Sequence, residues 1–287
     1  MSSSRAFAKF DLTGRTAVVT GGGTGVGYYM ARGLARSGAR VLIGARRAEV
    51  LEKAAARLRD EAGGEVSSAT VDLADRESIR SFADGAISRL GGVDIFVGNA
   101  GQEFFQPIDA LTDETLEQAM QVNLLSNLQL TRAFLPGMRK KRWGRILFSS
   151  SATSIAGAAA PGMTTYTATK GALNSAVHTI AAECGHDGIT CNTILLGIYL
   201  TDILGNYFEM IRQSQGESAR AATIAAMSSG SACGRLGRAD EVEGLIQFLA
   251  SDAAAYITGS NLCADGGMTT LLQPNPAPAE PVFPREF

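Results

Sequence analysis

Short apolar segments alternate with longer amphipathic segments along most of the chain. A short apolar run that ends in glycines, such as residues 16–20, suits a buried parallel strand. Longer segments carry apolar residues at helical spacing, as Val50, Leu51, Ala54 and Leu58 do. The pattern predicts strands at 16–20, 40–44, 65–71, 93–97, 145–149, 190–195 and 261–264, and helices at 25–37, 48–61, 75–90, 112–139, 165–184 and 240–250.

This alternation predicts a single α/β domain over residues 1–287: a doubly wound, mostly parallel sheet of about seven strands with helices on both faces. Two segments interrupt this alternation of strands and helices. Residues 198–234 are rich in apolar and flexible residues, and a long excursion of this kind is often a substrate lid. Repeated prolines in residues 273–287 exclude regular helix and central strand, so we expect an extended C-terminal arm, loose or packed on a neighbouring subunit.

Composition narrows the functional classes. The chain has 287 residues, of which 45% are hydrophobic and 19% charged, and its formal net charge is −2. Nucleic-acid binding would need a clustered basic excess, and the densest basic run, residues 139–142, reads as a solvated helix end. The four cysteines and two histidines show no metal-ligand spacing, so no metal site is expected. Without a signal-like or membrane-spanning segment, the expected location is the cytoplasm, with no membrane partner.

A glycine-rich sequence connects the first strand to the first helix. Glycines let the backbone turn tightly and approach a pyrophosphate, whose charge then meets the helix N-terminus. A plain strand-to-helix turn would also use glycines, but this position in a βαβ unit is typical of a dinucleotide-binding Rossmann fold. The candidate cofactor-binding residues here are Gly21, Gly23, Thr24, Gly25, Val26 and Gly27.

The end of the second strand indicates which dinucleotide is bound. NAD-binding chains often carry a carboxylate here for the ribose diol, whereas this chain has Ala45 followed by Arg46 and Arg47. A guanidinium binds a 2′-phosphate through paired hydrogen bonds, so the sequence favours NADP(H), with Arg46 the better candidate. The alternative is that both arginines are merely solvated at a helix start.

Tyr166 and Lys170 form the candidate catalytic pair. Residues four apart on a helix share a face, so the phenol should lie beside an ammonium group. The positive charge should lower the pKa of the phenol and make Tyr166 a usable proton donor and acceptor. In isolation this spacing is common by chance, and it gains weight from the motifs around it.

Those motifs together resemble the classical short-chain dehydrogenase/reductase family. The glycine loop, Asp72-Leu73, Asn99-Ala100-Gly101, Asn123, the serines 149–151 and Tyr166-x-x-x-Lys170 occur in that family's order. The resemblance covers about residues 12–268 and implies the residue roles that follow.

By this resemblance, Tyr166 would be the catalytic acid/base, and Lys170 would hold the nicotinamide ribose and tune Tyr166. A serine at the end of the fifth strand, Ser151, would contact the substrate carbonyl oxygen. Asn123 would keep a water that links Lys170 to solvent. The remaining implied cofactor contacts are Asp72 to the adenine amino group, and Leu73, Asn99, Ala100, Gly101, Gly197 and Thr201 along the dinucleotide, together with Tyr166 and Lys170 themselves.

Three positions depart from the family pattern. Strand register places the catalytic serine at Ser151, but the family's usual spacing back from Tyr166 points to Thr153; we favour Ser151 because the loop can absorb extra length. Leu196 stands where the family has proline before Gly197, which should loosen a turn. Gly98 replaces an asparagine, which should weaken packing at the end of its strand.

The expected activity is therefore NADPH-dependent reduction of a ketone to a secondary alcohol. Apolar residues in the loops near the site favour a partly apolar substrate over a small polyol or sugar acid. Two alternatives stay open: an NAD-linked alcohol dehydrogenase that works in oxidation, and a regulatory protein that binds NADP(H) without turnover. The family resemblance also implies a homo-oligomer, a dimer or tetramer assembled through helices 112–139 and 165–184.

Overall fold

A seven-stranded sheet forms the centre of the computed structural model, which describes residues 7–155 and 161–271. The strands stand in the order β3-β2-β1-β4-β5-β6-β9, and every neighbouring pair is parallel. This arrangement confirms the predicted doubly wound sheet. The strands are β1 (Thr16–Thr20), β2 (Arg40–Ala45), β3 (Val66–Thr70), β4 (Ile95–Gly98), β5 (Gly144–Ser151), β6 (Ile189–Leu196) and β9 (Asn261–Ala264); a separate parallel pair joins β7 (Tyr199–Leu200) to β8 (Gly237–Arg238).

Helices cover both faces of the sheet. On one face α1 packs against α2 and α9; on the other α3 packs against α5, and α6 lies on β5 and β6. Capping explains several boundaries: the Asp75 carboxylate accepts the first amides of α3, and Gly91 ends that helix in the left-handed region. The helices are α1 (Gly25–Arg36), α2 (Ala48–Ala62), α3 (Arg76–Leu90), α4 (Asp113–Met120), α5 (Ser126–Lys141), α6 (Thr164–Cys184), α7 (Asp202–Gln215), α8 (Glu217–Ser229) and α9 (Glu243–Leu249).

Each face of the sheet has its own hydrophobic core. Neighbouring residues of β1 point to opposite faces, so Val19 lies in one core with Leu34 and Val18 lies in the other with Phe134. All five residues of β1 are buried. A strand covered on both faces needs apolar residues at successive positions, which is why β1 reads as a continuous run rather than an alternating one.

The helix predicted at 112–139 contains one turn of a different kind. It begins as predicted, with the Thr112 hydroxyl accepting a hydrogen bond from the amide of Thr115 at 3.3 Å. Between α4 and α5, however, residues Gln121–Leu125 form a π-helical turn. Such turns are rare and cluster at functional sites. The turn contains Asn123, one of the predicted site residues.

Residues 198–234, predicted as a substrate lid, fold into β7, α7 and α8. Their contact with the sheet includes the Tyr199 hydroxyl, which donates to the carbonyl of Ala264 at 2.8 Å. The predicted C-terminal arm, 273–287, lies outside the described residues. Within residues 7–155 and 161–271, no helix is long and apolar enough to cross a membrane.

Candidate active site

The candidate site lies at the carboxyl ends of β1, β4 and β5. β1 is flanked by β2 on one side and β4 on the other: the chain first adds β2 and β3 on one side of β1 and then crosses back to add β4 on the other side. In open α/β sheets this reversal leaves a crevice beyond the strand ends, where ligands bind. The residues predicted for cofactor binding and catalysis follow these strand ends in the chain.

The loop from β1 to α1 forms a backbone cradle. Gly21 and Gly25 have φ angles of 70° and 57°, in the left-handed region that favours glycine. Thr24, at the N-cap of α1, makes no side-chain capping bond, and the first turn of α1 contains no acidic residue. The first amides of a helix lack internal partners, so this uncapped end suits an anion such as a pyrophosphate.

Asn99 fixes this loop from the end of β4. Its side-chain amide donates to the carbonyl of Thr20 at 3.2 Å, and its side-chain oxygen accepts from the Ser149 hydroxyl at 3.0 Å. The Thr20 hydroxyl accepts from the amides of Asn99 and Ala100 in return. A Cβ on Gly27 would collide with the Asn99 amide, which explains the need for glycine at this position.

Gly98 does not weaken the end of β4, contrary to the expectation from sequence. It is buried, and a Cβ at this position would collide with the side chain of Asn127 and approach Phe148 within 2.9 Å. The space that a larger residue would fill is therefore already occupied. The expected loosening at Leu196 is also wrong, because Leu196 continues β6 in register between Ser151 of β5 and Ala264 of β9.

The predicted adenosine-binding residues lie at the ends of β2 and β3. Arg46 and Arg47 are exposed, and neither makes an ion pair with another described residue. Asp72 is exposed, with one carboxylate oxygen accepting from the amide of Ala74 at 3.0 Å, whereas Leu73 is buried. Two guanidinium groups are thus available at the place where a 2′-phosphate is expected.

Lys170 is buried beneath the end of β5. Its ammonium group donates to the carbonyl of Ser149 at 2.7 Å and lies 5.6 Å from the ring centroid of Tyr166. Burial lowers the pKa of Lys170 to about 8, partly opposed by the negative charge of Glu103. The shared helical face predicted for Tyr166 and Lys170 thus brings the two side chains together in α6.

The pKa of Tyr166 shifts in the opposite direction to the one expected. Burial and, to a smaller extent, the negative charge of Glu103 raise the pKa to about 12, while a hydrogen bond with Ser151 opposes the rise. The sequence predicted a lowered pKa from the positive charge of Lys170. That prediction was wrong, because residue spacing does not reveal how far burial removes a side chain from water. At neutral pH the Tyr166 phenol holds its proton.

Ser151 is the hydroxyl whose hydrogen bond lowers the pKa of Tyr166. It ends β5, two residues beyond the predicted strand boundary, and it also bonds the Thr153 hydroxyl at 2.9 Å. Ser150 is directed elsewhere, since its hydroxyl donates to the carbonyl of Lys170. The two candidates for the carbonyl-binding residue therefore lie next to each other, and Ser151 is the one that influences the pKa of the phenol.

Asn123 connects the π-helical turn to the loop after β4. Its side-chain oxygen accepts from the amide of Gln102 at 2.8 Å, and its side-chain amide donates to the carbonyl of Gln102 and to the Thr169 hydroxyl. The backbone carbonyl of Asn123 accepts from the side chain of Asn127. The fully buried Asn123 side chain thus uses its polar atoms to hold the loop beside Lys170.

Comparison with known proteins identifies the family. Residues 15–212 match the family model described as short chain dehydrogenase. The chain belongs to the short-chain dehydrogenases. It is 37% identical over 270 residues to L-rhamnose 1-dehydrogenase (NADP(+)) of Thermoplasma acidophilum, covering 92% of this chain and 99% of that protein. It is 34% identical over 258 residues to the 3-oxoacyl-[acyl-carrier-protein] reductase of Vibrio cholerae, covering 90% and 98%.

Solved short-chain dehydrogenase structures share this fold. L-sorbose reductase from Gluconobacter frateurii, complexed with NADPH and L-sorbose, superposes with a TM-score of 0.86 at 28% identity, covering 92% of this chain and 100% of that one. The chain is therefore an oxidoreductase of a family that uses a nicotinamide cofactor. The cradle at Gly21 to Gly27, with its uncapped helix end, fits the pyrophosphate of such a cofactor.

The family motifs did not reveal Glu103, which acts electrostatically on both Tyr166 and Lys170. Burial of its carboxyl group raises the pKa of Glu103, although the residue as a whole is exposed; the positive charge of Lys170 opposes the rise. The hydrogen bonds between Asn123 and the backbone of Gln102 hold the neighbouring Glu103 beside Tyr166 and Lys170. The only sequence signal was its position two residues after Gly101.

Gly197 and Thr201 follow β6 in this short-chain dehydrogenase. The Gly197 amide donates to the carbonyl of Ala264 at 3.1 Å, which extends the pairing between β6 and β9. A Cβ built on Gly25 would lie 3.4 Å from the methyl group of Thr201. Thr201 therefore lies beside the glycine loop, and its contact with the cofactor stays a prediction.

Proposed function

We propose that this protein reduces a ketone to a secondary alcohol with NADPH. The observation that carries the proposal is the grouping of Ser151, Tyr166 and Lys170 at the end of β5. The Tyr166 phenol is protonated at neutral pH, so it can donate a proton to the carbonyl oxygen of a ketone.

In this proposal, the bound nicotinamide supplies the hydride, and the protein supplies orientation and a proton. Tyr166 donates its phenolic proton to the carbonyl oxygen. Ser151 donates a second hydrogen bond to that oxygen and stabilises the negative charge that develops on it. Lys170, which binds the carbonyl of Ser149, offers its remaining protons to the ribose and stabilises the phenolate left on Tyr166.

NADPH is the proposed cofactor because Arg46 and Arg47 are exposed and unpaired within the described residues. Either guanidinium can pair with a 2′-phosphate. The L-rhamnose dehydrogenase named above carries NADP(+) in its description, and the L-sorbose reductase was solved with NADPH. The residues proposed to hold the rest of the cofactor are Gly21, Gly23, Thr24, Gly25, Val26, Gly27, Asp72, Leu73, Asn99, Ala100, Gly101, Gly197 and Thr201, together with Tyr166 and Lys170.

Two features of the site favour different substrates. Exposed apolar side chains on the neighbouring loops and on α7, such as Phe105, Ile203 and Met210, suit a partly apolar ketone. Glu103, in contrast, presents a carboxyl group that can accept hydrogen bonds from substrate hydroxyls. A hydroxylated ketone is therefore the second candidate, and two of the relatives named above act on sugars by description.

The test is a panel of apolar and hydroxylated ketones, each incubated with NADPH or NADH and followed at the nicotinamide absorbance. We expect turnover with NADPH and a loss of roughly 10²–10⁴ in kcat for Tyr166→Phe, because the general acid is removed. Thr167→Ser serves as a neighbouring control that should keep its activity. Equal turnover by Tyr166→Phe and the native protein would refute the mechanism.

A further inference from the structure

A buried polar network lies behind the candidate catalytic residues, where the end of β5 meets α6. Ser151 belongs to β5, whereas Tyr166 and Lys170 belong to α6, so the distance between them depends on how the two elements pack. Phe148 of β5 and Leu173 of α6 lie in the same hydrophobic core. Because apolar packing is non-directional, hydrogen bonds between the two elements determine their relative position more sharply.

Asn174 connects α6 to the short 3-10 turn that follows β5. It lies one helical turn after Lys170, and its side-chain amide donates to the Ser154 hydroxyl at 2.7 Å. The Ser154 hydroxyl in turn donates to the backbone carbonyl of Ser151 at 2.6 Å. Two consecutive hydrogen bonds thus join the helix that carries Tyr166 to the residue that is proposed to contact the substrate.

Ser150 adds a second connection between the same two elements. Its hydroxyl donates to the backbone carbonyl of Lys170 at 3.2 Å and lies 3.3 Å from the Ser154 hydroxyl. Ser150 and Asn174 are 2% and 6% exposed, so little water competes for these bonds. Hydrogen bonds that are shielded from water are electrostatically stronger, and a network of them holds its members in one arrangement.

Asn174 is a poor side chain for a position that serves packing alone. Its amide oxygen is buried and has no hydrogen-bond partner among residues 7–155 and 161–271. Turning the amide over would not help, because Ser154 gives its only hydroxyl proton to Ser151 and can only accept from Asn174. A buried acceptor without a partner is destabilising, and an apolar side chain of similar size avoids this loss. The favourable feature of Asn174 is therefore its bond to Ser154.

We propose that Asn174 is a positioning residue for the ketone reduction and acts through Ser154 on Ser151. This inference rests on the proposed function, because it takes Ser151 as a donor to the substrate carbonyl. Two donors can share one carbonyl oxygen only if both are held within about 0.5 Å of the productive geometry. By fastening the turn after β5 to α6, Asn174 keeps the Ser151 hydroxyl at the right distance from Tyr166.

The experiment is a double-mutant cycle on kcat, with NADPH and a ketone that the native protein reduces. Asn174→Leu removes the bond to Ser154 and keeps the size of the side chain. We expect kcat to fall roughly tenfold, a usual coupling between contacting residues, with little change in KM because the Ser151 bond strengthens in the transition state. In a Ser151→Ala background the same substitution should lower kcat no further, since no donor is left to position.

Ser154→Ala breaks the same connection at its other end and should match Asn174→Leu, whereas Ser154→Thr keeps the hydroxyl and should retain activity. If Asn174→Leu does not fold, as judged by circular dichroism, Ser154→Ala takes its place in the cycle. The control is Thr190→Val, which removes another buried hydroxyl without a partner among the described residues, beside the start of β5, and should leave kcat unchanged.

Two results would overturn the inference: native kcat in the folded variants, or an equal fold-loss with and without Ser151, which would mark Asn174 as merely structural. Failure of the proposed function looks different. A native protein that reduces no ketone in the panel, or a Ser151→Ala variant with native kcat, would refute the proposed chemistry itself and remove the role of Asn174 with it.

Discussion

At the scale of single residues, two neighbouring hydroxyls are candidates for the proposed contact with a substrate carbonyl. A hydrogen bond with Ser151 lowers the pKa of the Tyr166 phenol, and the hydroxyls of Ser151 and Thr153 bond each other at 2.9 Å. We propose that Ser151 donates to the carbonyl oxygen and that Thr153 supports Ser151 without contacting the substrate.

This division of roles predicts unequal effects of two matched substitutions. Ser151→Ala should lower kcat by roughly 10²–10³, the usual effect of losing one donor to a developing oxyanion. Thr153→Ala should have a much smaller effect, because it removes only a neighbour of the donor. Steady-state kinetics on any ketone that the native protein reduces gives both values. The reverse ranking would show that the chain contains its extra residues before the catalytic position.

The proximity of residues at the candidate site could be predicted from sequence, but their electrostatics could not. Spacing along one helix brought Tyr166 and Lys170 together correctly. The direction of the Tyr166 pKa shift was wrong, because burial and the charge of Glu103 depend on packing between distant segments. Glu103 was missed for the same reason. Its position depends on the hydrogen bonds between Asn123 and Gln102, which residue spacing does not reveal.

At the scale of elements, a buried arginine fastens the start of β5 to the segment after α9. Arg145 is 2% exposed, and its guanidinium donates to the carbonyls of Ser251 and Gly144 and pairs with Asp252 at 3.0 Å. Arg15 and Arg145 both stack on the ring of Trp143, at 3.8 and 4.2 Å. Asp252 is therefore the counter-charge for a crowded cationic cluster.

Asp252→Asn should lower the free energy of unfolding by about 1–2 kcal/mol, because it keeps the hydrogen-bond acceptor and removes the charge that offsets buried Arg145. The expected loss of unfolding free energy is small because the Asp252 side chain is 60% exposed and screened by solvent. Urea unfolding measures the change. Asp240→Asn, in an exposed pair with Arg238, is the control and should unfold like the native protein. Equal stability of both variants would contradict this account of the cluster.

Strands and helices that depend on the local sequence were easier to predict than features that depend on packing between distant segments. β1 was predicted with its observed bounds because a buried strand between polar ends is visible in the sequence. The π-helical turn at Gln121–Leu125 was not, since an extra residue per turn leaves the apolar pattern of the helix nearly unchanged. The end of β5 was placed two residues early because three serines resemble a loop, although pairing with Leu195 and Leu196 keeps them in the strand.

At the scale of the whole molecule, we propose that the protein associates with itself through its helices. Leu116 and Met120 of α4 are 40% and 39% exposed. Exposed apolar side chains that lie one turn apart on a helix suit a surface that another subunit covers. The proposed assembly is a dimer or tetramer formed through α4, α5 and α6.

Light scattering at micromolar concentration should therefore give the mass of a dimer or tetramer. Met120→Glu should shift the distribution towards smaller species, because a charge would be buried in the contact. Asp60→Asn, an exposed position on α2 on the opposite face of the sheet, should leave the mass unchanged. A native protein that is monomeric at this concentration would rule out the proposed assembly.

The bond between Asn99 and Thr20 has a consequence for the protein's synthesis. The two residues are 79 positions apart, so the nucleotide cradle cannot adopt its final form until β4 has been made and has docked beside β1. At ribosomal speeds of roughly 5–20 residues per second, that interval is about 4–16 s. A nascent chain that ends between Gly27 and Asn99 has every glycine of the loop but no Asn99 to hold them. If the cofactor binds at this loop as proposed, we expect it to stabilise the sheet only after β4 is in place.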